Sequence, residues 1–403
     1  MGPSDQDVPY ALNTRAKTVT IPAYYMDIHE ISNNEYRQFV EYVRDSLFLD
    51  ELAIDDREDY FYLKEDAAIA INRFINRDYY LNWDAEIDWA NDEVFELLYE
   101  TFYLQGTSRY YNRKEIDTRK LNYRYHWFNL EMASDKQSRE ELSEENTLGQ
   151  LHSVRRHEDR SQFVVEETIN VYPDTLVWIH DFTYSNNEPY AENYFWHPAY
   201  DEYPVVGVTW GQAVAFNAWR TQHMNEWRLS EGSTYIQKFR LPSEAEWEFA
   251  ARGGRDLAPF PWGGPYIRNQ EGCILANFKP MRGDWVEDGA AYTAPISSYT
   301  PNDYGLYNMA GNVAEWTNTA FDETVYDFAF GLAPDYVYHA KANDEPALKR
   351  KVIRGGSWKD IGYYLQTGTR SYEYSDTAKS YVGFRSVMSY LGRGKSGPRE
   401  DWN

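Results

Sequence analysis

The sequence predicts an α+β fold that is loop-rich, with short strands and few helices, and three observations predict it. The apolar supply is unusually aromatic, with 36 Tyr, 14 Trp and 19 Phe making up 17% of the chain. Tyr and Trp bury a large body but need a partner for the polar tip, which suits many short layers better than an aliphatic core. Glycine–aromatic turns crowd the region beyond residue 171, as in Gly355-Gly356-Ser357-Trp358. Few segments carry a complete helix-start signal.

The elements follow in order. Val19-Thr20-Ile21 and Tyr24-Tyr25-Met26-Asp27-Ile28 carry β-branched and aromatic residues in strand-like order. Ser32 with Glu35 three residues on forms a capping box. Tyr36, Phe39, Val40 and Val43 then keep helical spacing, so a helix is expected to about residue 47. From 48 to 170 the chain is charge-dense, dotted with Tyr, Trp and Phe, and poor in Gly. Asp84 to Tyr103 reads as helix through Ile87, Trp89, Ala90, Val94, Leu97, Leu98 and Phe102, and Ser134 to Arg160 as an exposed polar loop. This zone reads as an insertion into a single domain, because the segment after it completes patterns begun before it. Two further helices are well signalled. Thr209 caps one with Gln212 as box partner, and Ser243 with Glu246 opens the other, which Gly253 closes in a left-handed position. The tail 392–403 is polar and expected to fray. No fixed-period repeat argues for a solenoid or propeller.

A net charge of −24 argues against nucleic acid as a partner, since phosphate binding needs clustered Lys and Arg, and opposes docking to an anionic membrane. It suits a solvated surface, a basic protein partner or calcium sites built from oxygen. With one cysteine, Cys273, no intrachain disulfide can form. The apolar run Cys273-Ile274-Leu275-Ala276 predicts a buried structural thiol. There is no apolar run of about 18 residues, the length a membrane-spanning helix needs.

Six segments, in order, carry a resemblance. They are Asp27-Ile28-His29-Glu30-Ile31-Ser32-Asn33-Asn34-Glu35-Tyr36, Tyr203-Pro204-Val205-Val206-Gly207-Val208-Thr209-Trp210, the Arg240–Gly254 helix with its flanks, Asn302-Asp303-Tyr304-Gly305-Leu306-Tyr307-Asn308-Met309-Ala310-Gly311-Asn312-Val313-Ala314-Glu315-Trp316, Arg354-Gly355-Gly356-Ser357-Trp358 and Gly383-Phe384-Arg385. Together they resemble the formylglycine-generating (sulfatase-modifying factor) family. The resemblance implies a C-type-lectin-like fold over 1–403 as a single domain, with 48–170 as a family-specific insertion. Met1-Gly2 resembles the end of that family's first-strand Phe-x-Met-Gly motif, which leads us to expect a truncated first strand and an upstream lipoprotein signal.

The family oxidises a substrate cysteine with a copper ion held by two thiolates, two and seven residues after the aromatic that follows Gly-Gly-Ser. Counting from Trp358 gives Asp360 and Leu365. A carboxylate is no soft ligand and Leu no ligand at all, so no catalysis and no copper are expected. Asp360 as a new catalytic acid is one alternative; a carboxylate bonded to local backbone or an Arg is the other. A related branch of the fold uses an iron site with His-x3-His-x-Glu spacing, which none of the eight histidines supplies; His152 and His157 come nearest.

The resemblance also implies one or two structural calcium ions. One site would use Asn308, the carbonyls of Gly311 and Val313, and Glu315, whose spacing lets oxygens converge on a cation that takes about six to eight of them. The other would use Asn277 and Asp288 with the carbonyls of Phe278 and Ala290. Asn in Gly loops also caps turns without any metal.

Three stretches resemble the GldK/PorK lipoprotein family of the type IX secretion and gliding motility machinery: Tyr110–Tyr123, Val171–Phe182 and Tyr194–Tyr200. That resemblance implies a pseudoenzyme on the periplasmic, inner face of the outer membrane. It would hold there through an upstream lipid anchor, self-associate into a ring and pair with a GldN/PorN-like periplasmic protein. Tyr110, Tyr111, Arg113, Lys114, Arg119 and Tyr123 form a candidate contact strip, because interfaces are enriched in aromatics and Arg. Two rival readings are a ligand- or glycan-binding module using the vestigial cleft and an atypical formylglycine-generating oxidase.

Overall fold

The computed structural model describes residues 1–4, 7, 15–55, 57–63, 79–134, 161–280 and 284–392. The expected frayed tail beyond residue 392, the polar loop beyond Ser134, and His152 and His157 lie outside them. Two compact units emerge: Met1–Glu41 with Tyr172–Asn403, and Tyr42–Val171. The boundary falls within the helix Asn33–Ile54.

The larger unit holds two small sheets. In one, Val387–Ser389 pairs antiparallel with both Tyr24–Met26 and Phe239–Arg240, which joins the two ends of the chain. In the other, Ala314–Ala320 runs parallel to Val382–Gly383 and antiparallel to Arg350–Arg354, which in turn pairs with Ser371–Tyr374. Val19–Ile21 differs from the expected strand, making only a bridge from Thr20 to Leu332.

The three capped helix starts of this unit are where the sequence puts them. Ser32 and Glu35 exchange side-chain to backbone hydrogen bonds at 2.9 and 3.2 Å. Both boxes form at Thr209–Gln212 and Ser243–Glu246, ahead of the helices Trp210–Ser230 and Glu244–Arg252. Gly253 takes φ 59°, which lets the second helix stop there.

The core of this unit is aromatic and ionic at once. Tyr36 stacks on Phe216 at 5.6 Å, with Phe39 and Phe384 edge-on to them. Beneath the Glu244–Arg252 helix, Glu244 and Glu248 pair with Arg354 and Arg370, all four buried. Arg354 also donates to the carbonyls of Thr367, Gly368 and Thr369. Such buried charges are tolerable only because nearly every donor and acceptor is used.

The smaller unit has a core of its own, where the sequence reading treats 48–170 as part of a single domain. Phe48, Leu49 and Leu52 continue the apolar face of Asn33–Ile54 beyond the expected end at 47 and pack with Tyr60, Val94, Leu98 and Phe102. Asn122–Phe128 pairs antiparallel with Val164–Asn170 over seven positions, and Phe61–Leu63 with Tyr79–Leu81. The expected helix from Asp84 begins instead at Asp92. Asn82 and Asp88 accept from the amides of Asp84 and Ala90, and Asn91 caps Glu93. These local side-chain bonds outcompete helix until the cap.

Candidate functional site

The turn after Trp358 carries both positions that the resemblance assigns to cysteines. Trp358 is anchored first: it is buried among Trp178, Phe182, Trp285 and Tyr292, and its indole donates to the Ser380 carbonyl at 3.1 Å. It is therefore core and offers no exposed face on which a sugar could stack.

Asp360 follows, tied at both ends. Its carboxylate accepts from Ser357 Oγ at 2.6 Å, and its carbonyl accepts from the Lys279 amide at 2.9 Å. Burial pushes its carboxyl above the usual range, against the pull of Ser357 and Lys359. Gly362–Leu365 then makes one tight turn, which delivers Leu365 into an apolar cluster with Phe260, Ala276, Phe278 and Ala310. Leu365 is 0% exposed. The two positions thus face different environments, one polar and one sealed in core.

A cavity of about 200 Å³ lies on the Asp360 side, lined also by Lys359, Ser371, Glu373 and Tyr381. The Lys359 ammonium sits 3.2 Å from the Tyr381 ring centroid, and burial lowers its pKa. Tyr381 donates to Glu373 at 3.3 Å. This set holds hydrogen-bond and charge partners and no thiolate, the soft ligand a copper ion held by two cysteines would need. Glu373 and Tyr381 escape sequence reasoning because no spacing links them to Asp360, whereas Lys359 is its immediate neighbour in the chain.

The first predicted calcium set is only partly free to act. Asn308 adopts φ 51° and donates to Glu30 and to the Ile296 carbonyl, each at 3.0 Å, while its own carbonyl oxygen is buried without a hydrogen-bond partner. That orphaned oxygen fits a cation. Glu315 does not: Arg385 grips both its oxygens at 2.6 and 2.7 Å, and the Trp247 indole adds a third bond at 2.7 Å. Gly311 is pressed against the Asn277 carbonyl so closely that a Cβ would lie 2.3 Å from it, which explains a glycine with φ 83° there. Val313 is buried, next to Gly383. Sequence reasoning missed Glu30, whose carboxyl is raised to about 8 by burial, and Asn312, which bridges Glu30, Asn277 and the Ala294 amide. Both lie inside motifs already singled out, Glu30 in the first and Asn312 in the fourth, and that membership was the available signal.

In the second set, Asp288 is bonded to the amides of Phe278 and Ala290 rather than shown beside their carbonyls. Asp288 accepts from the amides of Phe278 at 2.7 Å and Ala290 at 3.2 Å, and Asn277 donates to the Tyr292 carbonyl at 2.8 Å. Among the described residues, no three His, Cys, Asp or Glu side chains converge as a metal-ligand cluster. Cys273 corrects the expectation of a buried thiol: it is exposed, on a turn whose amides Asn269 accepts.

In the smaller unit the contact strip is mostly at the surface. Tyr110 and Tyr111 are 62% and 79% exposed, and Arg113, Lys114 and Arg119 are exposed too. Lys114 lies 4.3 Å from the Phe95 ring centroid, and Arg119 forks onto Asp117 at 2.7 and 2.8 Å. Tyr123 corrects the strip. It is buried and stacks on Tyr125, because the two-residue period of Asn122–Phe128 puts both on the covered face.

With the geometry in place, comparison with known proteins is informative. The sulfatase-modifying factor enzyme 1-like domain matches residues 1–390. The inactive C-alpha-formylglycine-generating enzyme 2 of Bos taurus is 33% identical over 190 residues, 46% of this chain and 50% of that protein. The formylglycine-generating enzyme of Thermomonospora curvata is 43% identical over 193 residues, 47% of this chain and 56% of that one. The chain therefore spans about half the length of the curated relatives it matches. The solved structure of PvdO from Pseudomonas aeruginosa aligns over 47% of this chain and 63% of its own, at 24% identity and a TM-score of 0.37.

Proposed function

The chain belongs to the sulfatase-modifying factor family, and from that premise we propose that it is a non-catalytic member retained as a scaffold. The observation that carries this is the pair Asp360 and Leu365. Relatives named as a formylglycine-generating enzyme and as an inactive one match it at similar lengths, so the reading rests on the residues at these two positions. With one cysteine in the whole chain, and that one on a separate exposed turn, no second thiolate exists to complete a copper site.

The scaffold's role in this reading is that of a subunit in a periplasmic ring of the type IX secretion and gliding machinery, a GldK/PorK-type lipoprotein at the outer membrane. The three stretches resembling that family support it, as does the exposed strip Tyr110, Tyr111, Arg113, Lys114 and Arg119. Structural calcium belongs to the same proposal. Asn277, Asp288 and the carbonyls of Phe278 and Ala290 would hold one ion. Asn308 with the carbonyls of Gly311 and Val313 would hold another, and Glu315 would have to leave Arg385 to join them. Either ion would staple loops that lack a continuous ladder.

Electron microscopy of the chain co-expressed with a GldN/PorN-like partner tests the assembly. Rings that disappear on joint Tyr110→Ala and Tyr111→Ala substitution, with the fold unchanged, support it. A monodisperse monomer that ignores the partner would sink it.

A further inference from the structure

In the larger unit, the chain between the paired strands Ala314–Ala320 and Arg350–Arg354 loops out and returns across the end of the first. Ala320 donates its amide to the Tyr336 carbonyl at 2.7 Å. Asn318 Nδ2 and Thr319 Oγ1 both donate to Asp335, each at 2.7 Å. These contacts fall where the register of the two strands shifts, between Trp316 and Ala320. Such an irregularity leaves backbone groups without a ladder partner, and the returning chain supplies one.

Lys351 meets the same chain from beneath. It is 0% exposed, and its Nζ donates to the carbonyls of Tyr338 at 3.0 Å and Asn318 at 3.3 Å. It also lies 3.9 Å from the ring centroid of Trp210, whose indole is fixed on the Thr317 carbonyl at 2.9 Å. Residues 335–339 therefore cover Lys351, and lifting them would hand its side chain to water.

The charges around this amine are committed elsewhere. Asp335 attracts it from the strap but is bonded to Asn318 and Thr319, and beyond it Arg240 and Glu246 pair with each other at 2.6 Å. Glu373, the cross-strand partner of Lys351, accepts from the Tyr374 amide at 3.0 Å and the Tyr381 hydroxyl at 3.3 Å. His339 is exposed, edge-on to Trp210 at 6.2 Å. An ammonium held by carbonyls and a ring, without a carboxylate in contact, is costly to bury. Burial outweighs the pull of Asp335 and lowers the Lys351 pKa to about 8.

We propose that residues 335–339 form a strap latched by Lys351, firmest over the neutral amine and loosened when the amine takes up a proton. The neutral amine keeps two N–H groups, enough for both carbonyls. The inference goes beyond the scaffold reading and does not depend on it. Its sign follows from linkage. An open strap returns Lys351 to its ordinary value of 10.5, so between about 8 and there only the open form holds the extra proton. Opening is therefore independent of pH below the window and becomes rarer as pH rises through it.

Residue-resolved hydrogen exchange of the full chain tests this at the Ala320 amide, which the strap itself accepts. Corrected for the intrinsic rate, protection there should rise about tenfold between pH 7 and 9. The Trp247 amide, inside the helix Glu244–Arg252, should show no matching rise. Lys351→Met keeps the apolar stem and should remove the slope at Ala320. Asp335→Asn removes the attraction without touching the amine, and should move the onset of the rise to lower pH. Protection at Ala320 that is flat or falls with pH would overturn the proposal. So would an equal rise at Trp247, which would make the opening global, a slope that persists in Lys351→Met, or an onset unmoved by Asp335→Asn.

Discussion

Asp360 and Leu365 stand five positions apart on one turn, yet their surroundings have gone opposite ways. Around Leu365 the space has become core: Phe260, Ala276, Phe278 and Ala310 close over a side chain with 0% exposure. Around Asp360 it has stayed polar, with Ser357 bonded to the carboxylate and Lys359, Glu373 and Tyr381 around a small cavity. The two positions that the resemblance assigns to cysteines thus differ in kind. One position is absorbed into packing and becomes costly to change; the other keeps a polar environment that packing does not dictate.

The largest test of that contrast is Leu365→Ala. Removing a fully buried Leu side chain should cost about 2–5 kcal/mol, read as a lowered denaturant midpoint with unchanged slope. A cost below about 1 kcal/mol would mean the cluster is looser than the structure shows. Next comes Leu365→Cys, the reversal toward the family's residue, which loses fewer atoms and should cost about 1–3 kcal/mol. Its thiol should resist alkylation in the folded state while Cys273 reacts, because only Cys273 is exposed. Equal labelling of both would place position 365 in an open cleft instead.

The smallest effect belongs to Asp360. Burial raises its carboxyl in the folded state, so the folded protein holds that proton more tightly than the unfolded chain does. From the unfolded value up to the raised one, stability must fall as pH rises, and above that window the ionised group remains a cost. Asp360→Asn removes this slope, so the variant should gain on the wild type as pH climbs. A wild-type advantage that grows with pH would show that the ionised carboxylate is the stabilised form.

What could be read from the sequence divides along the range of the interactions. Capping boxes at Ser32, Thr209 and Ser243 and the glycine at 253 were legible because each is settled within a few residues. The late start of the helix at Asp92 was blurred because apolar spacing runs on through turns held by Asn82 and Asp88. Tyr123 and Cys273 were misplaced because local composition does not say which face of a strand or turn is covered. The pairing of Glu315 with Arg385 joins residues seventy positions apart, and Glu30 meets Asn308 from the other end of the chain. No spacing rule reaches that far. The absence of cysteine at 360 and 365 was legible because it rests on residue identity alone.

The central claim is that no two-thiolate chemistry survives at this turn. Purified chain loaded with copper(I) and given oxygen and a cysteine-containing peptide tests it directly, with mass spectrometry of the peptide and an oxygen electrode as readouts. The account predicts an unmodified cysteine and no oxygen uptake above a copper-only control. Conversion of that cysteine to the aldehyde by the chain would contradict it.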